Sequence, residues 1–101
     1  MNAEQIRFDR YKKTLLEIIH KRLPDCKVYL FGSRARNTHQ SGADIDLALD
    51  NSSPIDLRII LRIHGDIEDT TIPLSVDLVD LQTASDILKN EIKEEGILWQ
   101  S

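Results

Sequence analysis

This chain has almost no cysteine, no long apolar run and no excess of basic charge. Its one cysteine, Cys26, has no partner for an internal disulfide. Apolar stretches such as Ile59-Ile60-Leu61 are three residues long, against about 20 for a helix that crosses a bilayer. The opening Met-Asn-Ala-Glu-Gln lacks the basic and then apolar regions of a secretory signal. These absences lead to the expectation of a cytoplasmic protein. Thirteen Lys and Arg face 17 Asp and Glu, a net charge of −4. That balance argues against direct nucleic-acid binding, which usually needs a basic excess. The 101 residues, 41% hydrophobic and 30% charged, suit one domain over 1–101 with one modest core. No internal repeat or low-complexity linker interrupts them.

Periodicity supplies a coarse outline. Ile6, Phe8, Tyr11, Leu15, Ile18, Ile19 and Leu23 recur at three- and four-residue spacing, which predicts an amphipathic helix from Ala3 to Leu23. Pro24-Asp25 ends it. Lys27 to Phe31 reads as a strand, Gly32 as a turn, and Ser33-Arg34-Ala35-Arg36 as the start of a short helix. A second strand is expected from Asp44 to Leu49. Ser53, Pro54 and Asp56 predict a helix start, followed by the stripe Ile55, Ile59, Ile60, Ile63 and Ile67. Leu74 to Leu81 reads as the third strand. Thr83 and Asp86 repeat the capping pattern before a last helix that Gly96 ends, with Ile97-Leu98-Trp99 as an apolar tail. The expected fold is α+β in two layers: a small mixed sheet flanked by helices, in the order α-β-α-β-α-β-α. Helices are expected on one face, with acids along the other face or an edge.

The acids carry the chemistry. Gly32-Ser33 is followed by ten residues and then by Asp44-Ile45-Asp46. In a strand, residues two apart point to the same face. A third acid, Asp77, lies in the apolar, β-branched run Leu74-Ser75-Val76-Asp77-Leu78-Val79-Asp80-Leu81. Asp80 is in the same run, but alternation sets it on the opposite face from Asp77. Two carboxylates on one strand and a third on a neighbour make an oxygen-donor site for hard divalent cations. Without a cation, the trio would repel itself and raise a carboxyl pKa. Gly32 has no Cβ, so a phosphate can approach the backbone closely, and Ser33 can donate its hydroxyl and N–H. Arg34 and Arg36 are placed to neutralise phosphate charge. Metal with phosphate points to phosphoryl or nucleotidyl transfer.

Gly32-Ser33, the ten-residue spacing, Asp44, Asp46 and Asp77 together resemble the nucleotidyltransferase superfamily that includes DNA polymerase β. Gly32-Ser-Arg-Ala-Arg36, Asp44-Ile-Asp-Leu-Ala-Leu49, Val76-Asp-Leu-Val-Asp-Leu81 and the closing Glu94-Glu-Gly-Ile-Leu-Trp99 are similar, more narrowly, to the minimal nucleotidyltransferase, or MNT, family. The resemblance spans nearly the whole chain. It implies transfer of AMP from ATP with two Mg²⁺ ions, Asp44 and Asp46 holding both and Asp77 completing the ion that activates the nucleophile. It also implies a partner, a HEPN-type ribonuclease toxin modified on a tyrosine hydroxyl, with this chain as antitoxin. A steric antitoxin and a small-molecule nucleotidyltransferase are the alternatives. In a chain of this length the acceptor pocket is expected from a partner or a second copy. Asn37 stands where related sequences carry glycine, and asparagine tolerates the left-handed backbone such a turn needs.

The remaining distinctive residues have plainer readings. His20, His39 and His64 show no metal-ligand spacing, and only His39 lies in the loop beside the acids. Cys26 is expected to pack as a small apolar residue. Tyr29 alternates away from Val28 and Leu30, toward nucleotide or solvent. Trp99 is expected to cap the core or, with Ile97 and Leu98, to meet a partner.

Overall fold

In the computed structural model, which describes residues 2–99, every element serves a single sheet. Helix α1 (Ala3–Arg22) leads to strand β1 (Lys27–Phe31), the four-residue helix α2 (Gly32–Ala35) and strand β2 (Ile45–Asp50). Helix α3 (Leu57–Glu68), strand β3 (Val76–Asp80), a 3-10 turn (Leu81–Thr83), helix α4 (Asp86–Glu95) and strand β4 (Ile97–Trp99) follow. The sheet order is β3-β2-β1-β4. β1 runs antiparallel to β2 and β4, and β2 runs parallel to β3. The expected mixed α+β architecture is present.

The sheet is covered on both faces, which corrects the expectation of helices on one side only. Val28, Leu30, Ile45, Leu47 and Leu49 point to α1 and α3, where Leu15, Ile19, Ile63 and Ile67 complete the main core. Arg22 of α1 ties the two helices together, donating from Nε to Asp66 of α3 at 2.8 Å. The alternate residues Phe31 and Ala48 meet Ile92 of α4, with Tyr29, Val79, Leu81 and Leu88 around them. Tyr29 therefore shares the α4 face. Cys26 is fully buried, as its reading required. Burial, with Asp50 adding to it, pushes its thiol up to about 11.

The apolar tail is the second correction. Ile97-Leu98-Trp99 is a strand, paired through Leu30, Tyr29 and Val28. Trp99 is 2% exposed. Its ring meets Phe8 edge-on at 6.0 Å, and Lys12 Nζ lies 5.6 Å from its centroid. So Trp99 belongs to the core, while Ile97 and Leu98 stay exposed. Trp99→Ala should destabilise the fold by about 3–5 kcal/mol, the usual loss for a large buried ring. Denaturant unfolding checks this.

Two helix starts also move. Asp80 Oδ2 accepts the Ile55 N–H at 2.8 Å, which holds Ile55 in the loop. Helix α3 therefore begins later, capped by Asp56, which accepts from Arg58 N at 2.9 Å. Thr83 ends the 3-10 turn, and Ser85 is the real cap of α4, accepting from Leu88 N at 3.2 Å. Gly96 does end α4. Its φ of −65° is ordinary, and what demands glycine is space: a Cβ there would overlap the Ile92 carbonyl.

Candidate active site

The acids gather where β1 ends and β2 and β3 begin. β1 carries the chain to Phe31, and Gly32 turns it into α2 with φ +74°. An L side chain is strained at that angle. A Cβ at Gly32 would also overlap the Asp46 carboxylate. Close approach and backbone conformation thus require the same residue. Ser33 follows, half-buried, and its carbonyl accepts the Thr38 N–H at 2.9 Å, folding the next loop back. Asn37 has φ +57°, the left-handed conformation expected of it.

Asp46 is the second residue of β2 and lies in register with Phe31 on one side and Asp77 on the other. Neighbouring strands are roughly 4.8 Å apart, so residues in register share a face at close range. Asp44 is exposed and sits just ahead of β2, where a strand had been expected to hold it. Asp80 serves the fold: its carboxylate accepts from Ile55 N and, at 3.0 Å, from Gln82 N. Asp77 is exposed and engaged in neither task.

Charge accumulates at Asp46. Burial raises its carboxyl above the ordinary range, and Asp77, Asp44 and Glu91 raise it further against the opposing pull of Arg36. Glu91, on α4, is the acid that sequence reasoning missed. Nothing in its spacing revealed that α4 packs over Phe31 and Ala48, which is what brings Glu91 toward the site. Among the described residues, no three acidic, imidazole or thiol groups stand close enough to hold an ion as they are. The donor set nonetheless fits a hard divalent cation: three carboxylates on adjacent segments, with a negative field that one arginine opposes.

The two arginines have separate surroundings. Arg34 is 9% exposed, and its Nε and an Nη both donate to the Ala43 carbonyl, at 3.1 and 2.9 Å. Arg36 is exposed at the end of α2 and reaches α4, 3.2 Å from Glu95 and 3.9 Å from Glu91. His39 stands 3.5 Å from Glu4 of α1.

A mixed sheet with a glycine turn packed on paired acids is the framework of a nucleotidyl-transferring enzyme. The family model for polymerase beta nucleotidyltransferases matches residues 13–100, and the chain belongs to that family. It is a nucleotidyltransferase. A probable protein adenylyltransferase, MntA, of Haemophilus influenzae is 29% identical over 83 residues, covering 82% of this chain and 73% of that protein. A toxin–antitoxin crystal structure with AMP-PNP superposes with a TM-score of 0.75 at 25% identity, over 89% of this chain and 73% of the matched one. A complex of a tri-AMPylated Shewanella oneidensis HEPN toxin with its MNT antitoxin gives a TM-score of 0.68 at 24% identity, over 89% and 70%. That likeness is one of fold.

Proposed function

We propose that this chain is a Mg²⁺-dependent protein adenylyltransferase that moves AMP from ATP to a tyrosine hydroxyl of a HEPN-type toxin and so acts as its antitoxin. The observation that carries the reading is Asp46, in register with Asp77, two residues from Asp44, and packed against the Gly32 turn. The similarity to MntA supports the nucleotide and the acceptor class. The toxin–antitoxin complexes support the partner.

The acceptor oxygen forms a bond to the α-phosphorus, and the bond from that phosphorus to the oxygen bridging toward the β-phosphate breaks. Pyrophosphate leaves, and the hydroxyl proton passes to water. Gly32 lets the triphosphate approach the backbone, and Ser33 offers a hydroxyl and an N–H to the β- or γ-phosphate. Asp44, Asp46 and Asp77 would hold the metal. When bound, Mg²⁺ supplies positive charge to the α-phosphate and to both the attacking and leaving oxygens. Arg36 is the exposed arginine beside the acids, suited to the departing pyrophosphate once the α4 carboxylates release it. Arg34 works from the interior.

Turnover distinguishes this enzyme from a blocking antitoxin. Substoichiometric protein with ATP should neutralise an excess of the HEPN partner, and mass spectrometry should find AMP on it. Asp77→Ala should still bind the partner yet leave it unmodified and active. Full neutralisation by Asp77→Ala, at equal stoichiometry and without ATP, would mean that the chain acts by steric blocking.

A further inference from the structure

We infer that Arg34 is a positioning residue that sets Asp44 in the acidic site, an inference that rests on the nucleotide-site reading above and adds to it. Asp44 lies outside β2, so the strand ladder does not fix it. The chain before it turns through Ser41-Gly42, where Gly42 has φ +83° and open space on its Cβ side. On the far side of Asp44, Ile45 N donates to Ser75 O at 2.9 Å and anchors the start of β2. On the near side, Arg34 closes both Nε and an Nη onto the Ala43 carbonyl. That carbonyl belongs to the peptide whose nitrogen is Asp44's own. Charged hydrogen bonds of this kind are about twice as strong as neutral ones. The guanidinium is itself held: it stands 4.8 Å from the centroid of the Phe8 ring on α1, a cation–π contact.

One four-residue helix thereby sets two acids. Gly32, at its start, packs on the Asp46 carboxylate. Arg34, two residues on, holds the peptide that carries Asp44. A shift of α2 would move both acids, so the phosphate turn and the metal site are mechanically one unit. Lysine would not replace Arg34, because an ammonium is a point donor and lacks the planar fork that rests on Phe8.

The test uses Arg34→Lys and Arg34→Met in the full chain, with ¹⁵N relaxation and Mn²⁺·AMP-PNP calorimetry. The heteronuclear NOE should fall at residues 40–44 in Arg34→Lys and stay as in wild type at residues 47–49. Affinity for Mn²⁺·AMP-PNP should weaken by about 10- to 100-fold, as when the groups supporting metal ligands are lost. Methionine should show at least the lysine effect; if it fails to fold, Arg34→Lys alone decides. Rigid residues 40–44 and wild-type affinity in Arg34→Lys, with only a lower melting temperature, would make Arg34 a packing residue and overturn the inference. Failure of the wild type itself to bind Mn²⁺·AMP-PNP would sink the nucleotide-site reading. The relaxation data would then judge the positioning by themselves, unchanged rigidity refuting it and loosened residues 40–44 upholding it.

Discussion

The double substitution Asp44→Asn and Asp46→Asn should leave a folded protein that transfers no AMP. Asparagine keeps the shape of aspartate, so the packing of Gly32 against position 46 survives. The charge does not, and charge is what a hard cation needs. Loss of transfer on the order of 10³-fold corresponds to about 4 kcal/mol of transition-state stabilisation. Stability should move the other way. Asp46 carries a carboxyl raised by burial and by Asp77, Asp44 and Glu91. A carboxyl whose folded pKa is raised contributes fully only below its unfolded value and loses that contribution as pH rises through the folded one. At neutral pH, then, ionised Asp46 opposes the metal-free fold, and the double variant should melt no lower than wild type. Radiolabelled ATP transfer and thermal unfolding, measured side by side, check both halves. Transfer at the wild-type rate would remove these acids from the mechanism. A large fall in melting temperature would give them a role in packing.

The sequence exposed which acids the fold draws together more clearly than it exposed the helix starts. Glycine before a turn, acids at i and i+2, and a third acid in a β-branched run are local signals, and local signals survive folding. Asp46 and Asp77 meet because β2 and β3 pair in a register that their apolar alternation dictates. Other features depend on contacts that no local pattern carries. Asp80 takes the Ile55 N–H across 25 positions, and this moves the start of α3 from Ser53 to Asp56. Trp99 read as either a cap on the core or a partner contact, because three apolar residues after a glycine are too few to announce a strand. It became core because β1 had a free edge and Phe8 stood ready to meet the ring. Arg34 and Arg36, two apart in the same motif, looked equivalent in sequence. Yet one faces the Ala43 carbonyl in the interior and the other faces the glutamates of α4. A four-residue helix is too short for periodicity to say which side is buried.

Gly32→Ala should damage this protein more than alanine at either Gly42 or Gly65, and the three glycines together can show why. Gly65 lies in α3 with nothing within 4 Å of its Cβ position. Alanine there should stabilise by roughly 0.5–1 kcal/mol, the helix-interior difference between the two residues. Gly42 also has open space but a φ of +83°, so Gly42→Ala should destabilise by about 1–2 kcal/mol from backbone strain alone. Gly32 combines a φ of +74° with the overlap on Asp46. Its alanine must bear the same strain and also displace a carboxylate that is already crowded by burial and like charge. The expected loss of stability exceeds that of Gly42→Ala, and transfer should fall toward the level of the double asparagine variant, because Asp46 can no longer stand beside Asp77. Melting temperature and AMP transfer across the three variants separate the two causes. If Gly32→Ala costs no more stability than Gly42→Ala and retains transfer, the turn needs glycine only for its backbone angle. If it alone loses transfer, close packing of the Gly32 turn on Asp46 is part of how the site is built.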